Sequence, residues 1–279
     1  MKNNNKNFKT IQADNLELNI YNAEESSFGV TSVIVSGEND AILIDAQFTL
    51  SDAKNVVEKL KMTGKKLTAI FITHGDPDFY FGLEVIKQSF PDTIVYATKE
   101  TVEYIKATSQ KKLDVWGPKL GENGTKNIIL PQIIKKNRLE LEGKVLEITG
   151  TEESPEKTFI WIPSIKTIIG GINIFGTGFH LWMADAQSQA ERKQWIDILT
   201  KIESLQPSII IPAHKRDDSE LNISSLKYTK EYIISYEAVL SHAKTSGELI
   251  TKMKELYPNA TFGAALELGS KVNTGEMKW

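Results

Sequence analysis

Short apolar runs of strand character alternate with segments of helical period along the first third of this chain, and no other feature narrows its fold as far. Residues 16–21 read Leu-Glu-Leu-Asn-Ile-Tyr, apolar at every second position. Residues 28–35 are β-branched and apolar, 38–40 make a turn, and 41–44 return as a buried strand, which predicts a hairpin. Residues 51–61 place Ala53, Val56, Val57 and Leu60 at helical spacing, with Ser51 as N-cap. A central strand over 67–73, a helix over 79–90, a strand over 93–97 and a helix over 99–109 follow. The order β-β-α-β-α-β-α predicts an α/β fold.

The middle reads differently. Residues 112–126 hold Gly117, Pro118, Gly121 and Gly124 and predict a surface loop. Strand-like pieces follow at 128–130, 138–141, 144–149, 158–162 and 167–170. The last third returns to alternation. Residues 187–205 carry Trp195, Ile198, Leu199, Ile202 and Leu205 on one helical face, 209–211 form a strand, and helices are predicted over 224–243 and 246–257. The tail from 261 to 279 shows little pattern. No Pro- or Ser-rich linker interrupts the 279 residues, so one domain is expected over 1–279, with a helical extension from about 218.

Composition removes several function classes. With 41% hydrophobic and 25% charged residues the chain can build a core. It has no cysteine, which excludes disulfides, Cys-ligated zinc, iron–sulfur clusters and thiol nucleophiles. A net charge of -3, with scattered Lys and Arg, gives no reason to expect nucleic acid. No run of about 18 apolar residues predicts a membrane span, and the polar residues 1–9 lack the apolar core of a secretory signal. A cytoplasmic protein with a small-molecule substrate or ligand is expected; oligomeric state stays open. There is no Gly-x-Ser-x-Gly elbow and no Gly-rich phosphate loop.

The four histidines are His74, His180, His214 and His242. His74 and His214 each follow a predicted strand, and ligands of open α/β sheets gather beyond the carboxyl ends of strands. His242 falls late in a helix and reads as a surface residue. Residues 73–82 run Thr-His-Gly-Asp-Pro-Asp-Phe-Tyr-Phe-Gly. On an extended loop the alternating His74, Asp76 and Asp78 face one side and can converge on a cation. The plainer alternative makes Asp78 the N-cap of the next helix. Trp116 and its neighbours, together with residues 179–182, either line a pocket or pack on an edge. Phe79, Tyr80 and Phe81 would add apolar wall to such a pocket and suit an acyl or lactone-like ligand.

These motifs, in this order, resemble the metallo-β-lactamase superfamily. The carriers are Leu43-Ile44-Asp45-Ala46, then Thr73-His74-x-Asp76-x-Asp78 with Gly82, Trp161-Ile162-Pro163-Ser164, the run from Phe179 through His180 to Asp185, and Ile211-Pro212-Ala213-His214. The resemblance spans about residues 17 to 214. It implies a four-layer αββα sandwich and a site holding one or two metals. His74, Asp76, Asp78 and His214 match ligand positions. Phe79 stands where the motif has a further histidine, Asn173 where it has a bridging aspartate, and Glu152 or Glu153 near another lost histidine. The implied site is degenerate, with at most one divalent ion (zinc, iron or manganese) or none.

The family's chemistry would have a metal-bound water attack an ester, amide or lactone-type carbonyl. Asp78 would orient that water or take its proton, and His180 would donate to the leaving group or serve as a hydrogen-bonded structural histidine. Asp45 would hold the metal loop from behind or cap a strand end. Two functions follow from the retained and the lost ligands: a hydrolase with a reduced metal site, or a catalytically lapsed relative that binds a small ligand or partner.

Overall fold

The computed structural model describes residues 7–152 and 154–279. Part of the polar start at residues 1–9 and the alternative ligand Glu153 lie outside the described residues. The elements run β1 (Phe8–Ala13), β2 (Leu16–Asn22), β3 (Thr31–Ser36), β4 (Asp40–Ile44), α1 (Leu50–Thr63), β5 (Lys66–Phe71), α2 (Pro77–Tyr80), α3 (Leu83–Ser89), β6 (Ile94–Ala97) and α4 (Lys99–Leu120). They continue with β7 (Gln132–Ile133), β8 (Arg138–Leu141), β9 (Lys144–Thr149), β10 (Phe159–Ile162), β11 (Thr167–Ile169), α5 (Gln189–Ser204), β12 (Ile209–Ile211), α6 (Ile223–Leu240), α7 (Ser246–Leu256) and α8 (Gly263–Asn273). No helix among the described residues is long and apolar enough to cross a membrane.

The strands form two sheets. One has the order β1-β2-β3-β4-β5-β6-β7 and the other β12-β11-β10-β9-β8. Strands β1 to β4 pair antiparallel and β4 to β7 parallel. The period of two sorts the side chains. Val33, Val35, Ile42, Ile44 and Phe71 meet Ile148, Ile160, Ile162, Ile169 and Ile211 of the second sheet in one buried cluster. Their neighbours Ile34, Ala41, Leu43 and Ile70 face the other way, into a cluster with Val56 and Leu60 of α1, Ile86 of α3 and Val102 of α4. Ile168 and Ile210 of the second sheet join Ile198, Leu199 and Ile202 of α5 in that same cluster. Helices thus cover the outer face of each sheet, and the αββα sandwich follows from strands buried on both faces.

At one end the sheets are clamped. Glu142, between β8 and β9, accepts the backbone N–H groups of Glu38, Asn39 and Asp40 at 2.7, 2.6 and 2.8 Å. Asp40 pairs with Lys66 and Ile44 with Phe71, so His74, beyond Phe71, lies at the opposite end. Behind the second sheet, buried Arg192 of α5 pairs with Glu237 of α6 and donates to Asn273 of α8 at 2.8 Å.

Several local expectations change. Thr49, not Ser51, caps α1, accepting from the Asp52 N–H at 3.2 Å. The helix read over 79–90 breaks into α2 and α3 at Gly82, where a Cβ would lie 2.0 Å from the Ala46 carbonyl oxygen. Asp76, not Asp78, holds the N-cap position of α2 and makes no side-chain capping bond. The loop read from residue 112 is helical to Leu120, with Pro118 in its last turn. Residues 128–130 form no strand, and the patternless tail contains α8.

Candidate functional site

The carboxyl ends of β5 and β12 bring His74 and His214 to one place, both against a buried phenyl ring. The ring of Phe79 lies 5.4 Å from His74 and 5.6 Å from His214, centroid to centroid, edge-on to both. Phe175 stacks on His214 at 5.2 Å. Asp45, at the end of β4, accepts from the backbone N–H and the hydroxyl of Thr73, both at 2.8 Å, and so fixes the residue before His74. Burial pushes the Asp45 pKa up to about 7 against those two donors.

His74 and His214 are each held by both nitrogens. His74 Nδ1 meets the Glu156 carbonyl oxygen at 2.7 Å and Nε2 meets Asp76 Oδ2 at 3.1 Å. A carbonyl oxygen only accepts, so Nδ1 carries a proton; opposite an ionised carboxylate Nε2 carries one too. Burial opposes the charged ring, but Asp76 outweighs it and the His74 pKa is raised. Burial likewise opposes the Asp76 carboxylate, yet His74 and Lys112 hold its pKa well below the usual range. His214 Nδ1 donates to the Phe28 carbonyl at 2.9 Å, and Nε2 lies 3.3 Å from Asp78 Oδ2. Burial lowers the His214 pKa to about 4; burial, then Asp76, raises that of Asp78 to about 7. The shared proton therefore favours the carboxyl of Asp78, with neutral His214 as its acceptor.

The other expected residues are placed differently. Asn173 is buried, and its side-chain amide donates to the Lys157 carbonyl at 2.7 Å. Glu152 is exposed in a turn. His180 is buried with Nδ1 2.9 Å from the Tyr232 hydroxyl, under α6, and burial lowers its pKa to about 4. That placement is the one the structural reading of His180 describes. Phe79, Tyr80 and Phe81 are core residues rather than pocket wall. Trp116 packs edge-on against Phe28 and Phe48.

A divalent ion does not fit these residues as they stand. Among the described residues no three His, Asp or Glu side chains converge as a metal-holding group. His74 presents no free lone pair, Phe79 has none, and Asn173 supplies a neutral amide where the resemblance expects a carboxylate.

Beside Asn173 opens a cleft of about 140 Å³ lined by Lys157, Trp182, Asp185, Glu191 and Trp195, among others. Trp195 Nε1 donates to the Asn173 carbonyl at 2.8 Å. On the rim, Trp279 donates to Asp185 at 2.5 Å and meets Trp182 edge-on at 5.8 Å. Charged and indole groups thus line it together. Sequence reasoning passed over Lys112, whose ammonium lies 2.5 Å from Asp76 Oδ1. The available signal was its spacing of eight from Tyr104, two turns along one helix face.

Comparison with known proteins agrees with this fold. The family model described as the metallo-beta-lactamase superfamily matches residues 27–163. No curated protein matches the sequence. Among solved structures, the metallo-beta-lactamase IND-7 aligns with a TM-score of 0.59 at 17% identity, covering 82% of this chain and 99% of that one. The DIM-1 metallo-beta-lactamase gives 0.57 at 18%, over 81% and 97%. A metallo-beta-lactamase from Pontibacter korlensis gives 0.55 at 14%, over 81% and 99%. At such identities the likeness is one of fold.

Proposed function

This chain is a metallo-β-lactamase-superfamily protein by fold and by the family model over residues 27–163, and from that premise we propose that it binds a small polar molecule in the Trp182–Trp195 cleft without metal-dependent hydrolysis. The observation that carries the reading is the buried phenyl ring of Phe79 packed edge-on against both imidazoles, His74 and His214. A metal-bound water needs open space and free lone pairs between such ligands. Here a buried phenyl ring packs against both imidazoles, and each imidazole has an aspartic side chain as partner instead. The cleft next to it keeps the charged and indole groups that recognise a small ligand.

A second reading is a hydrolase of esters, amides or lactones with one divalent ion. It is favoured by the retention of His74, Asp76, Asp78 and His214 at one end of the sandwich. Elemental analysis of protein purified without chelator separates the two. The proposal expects less than about 0.1 metal per chain, with no gain on adding zinc, iron or manganese. Stoichiometric metal together with turnover of p-nitrophenyl acetate or a lactone would establish the second reading instead. Phe79→His combined with Asn173→Asp restores two lost donors and is expected to raise metal content.

A further inference from the structure

The most unusual group at this end of the sandwich is a cation that belongs to the chain. Lys112 of α4 reaches back to the loop after β5, its side chain only 15% exposed. An ammonium has three N–H donors, and here each has a partner. One goes to Asp76 Oδ1 at 2.5 Å, one to the Gly75 carbonyl oxygen at 3.0 Å, and the third faces the Tyr104 ring, whose centroid is 4.3 Å away. Tyr104 also stacks on His74 at 6.3 Å. Gly75 makes this approach possible: a Cβ there would lie 2.5 Å from Tyr104 Cδ1. Asp76 is thus committed on both oxygens, to Lys112 and to His74.

We propose that the Lys112 ammonium is the resident cation of this site, neutralising Asp76 in the way a divalent ion would and keeping such ions away from it. The helix is built for the contact. Tyr104 and Lys112 lie on one face two turns apart, and Trp116, a turn further on, anchors the helix against Phe28 and Phe48. Without the ammonium, Asp76 Oδ1 would lose its partner and the His74 ring alone would balance a largely buried carboxylate, which opens one oxygen to a metal ion. A fixed positive charge beside the same carboxylate repels a dication strongly at these distances.

The inference rests on the metal-free reading above, and one experiment separates the two. Zinc and manganese are titrated separately, by calorimetry and thermal melting, into wild type, Lys112→Met and Lys112→Arg. Lys112→Met keeps the apolar stem against Tyr104 and removes the charge. It is expected to bind zinc or manganese at least about tenfold more tightly than wild type and to melt higher when the ion is added. Lys112→Arg, still cationic, should refuse the ion as wild type does. If Lys112→Met does not fold, Lys112→Gln, which keeps a donor for the Gly75 carbonyl, is expected to show the same gain. Wild type holding one zinc tightly overturns the metal-free reading itself. Wild type and neutral variants refusing both ions alike overturns only the role of Lys112.

Discussion

Replacing His180 by asparagine should change how stability depends on pH by an amount the structure sets. The ring is buried with Nδ1 2.9 Å from the Tyr232 hydroxyl, and burial holds its pKa at about 4, against 6.5 when unfolded. Its folded value lies below its unfolded one, so unfolding takes up a proton between these limits. The stability is fully present above pH 6.5 and is lost as the pH falls toward 4. Linkage gives a loss of about 1 kcal/mol at pH 5.5 and about 2–3 kcal/mol at pH 4.5. The asparagine amide does not titrate, yet its carbonyl can accept from Tyr232. Asp45 and Asp78, raised to about 7, act with the opposite sign, since they favour the folded state at low pH. They are common to both proteins and cancel in the difference. Urea unfolding at intervals from pH 7.5 to 4.5 should show the advantage of wild type over His180→Asn shrinking by those amounts. A difference that stays flat, or an NMR titration of His180 centred near 6.5, would refute the buried, neutral ring.

Two further outcomes test local structure. Ser188→Ala removes one half of the reciprocal cap on α5, where the Ser188 hydroxyl accepts from the Glu191 N–H at 3.2 Å and Glu191 accepts from the Ser188 N–H at 2.7 Å; a loss of about 1 kcal/mol is expected in urea unfolding. Gly82→Ala puts a methyl 2.0 Å from the Ala46 oxygen and 2.7 Å from the Ala53 Cβ, and should cost about 1–3 kcal/mol by the same assay.

The sandwich core was readable because its strands are buried on both faces, so residues 41–44 and 67–71 are apolar almost throughout and signal their burial by composition alone. His74 and His214 stood out because each follows such a run. Helix α4 was misread because Gly117 and Pro118 are local signals, whereas Trp116 docking on Phe28 and Phe48 is a tertiary one. Losing the end of that helix hid Lys112 from the site, 36 residues from Asp76 in sequence. Helix α8 begins without a side-chain cap, Phe262 holding a left-handed conformation before it, so its start carries no polar signature. The indole-lined cleft draws on distant segments, and no spacing announces it.

The Glu142 contact has a mechanical consequence. It works as the spine of a book. Three amide protons gripped by one carboxylate make the turn between β3 and β4 that spine. The opposite margin is stitched as well, by the Thr158 N–H on the Thr73 carbonyl at 3.2 Å and the Thr31 N–H on the Ala213 carbonyl at 2.8 Å, so the two leaves should part little at either side and an incoming molecule meets walls already set.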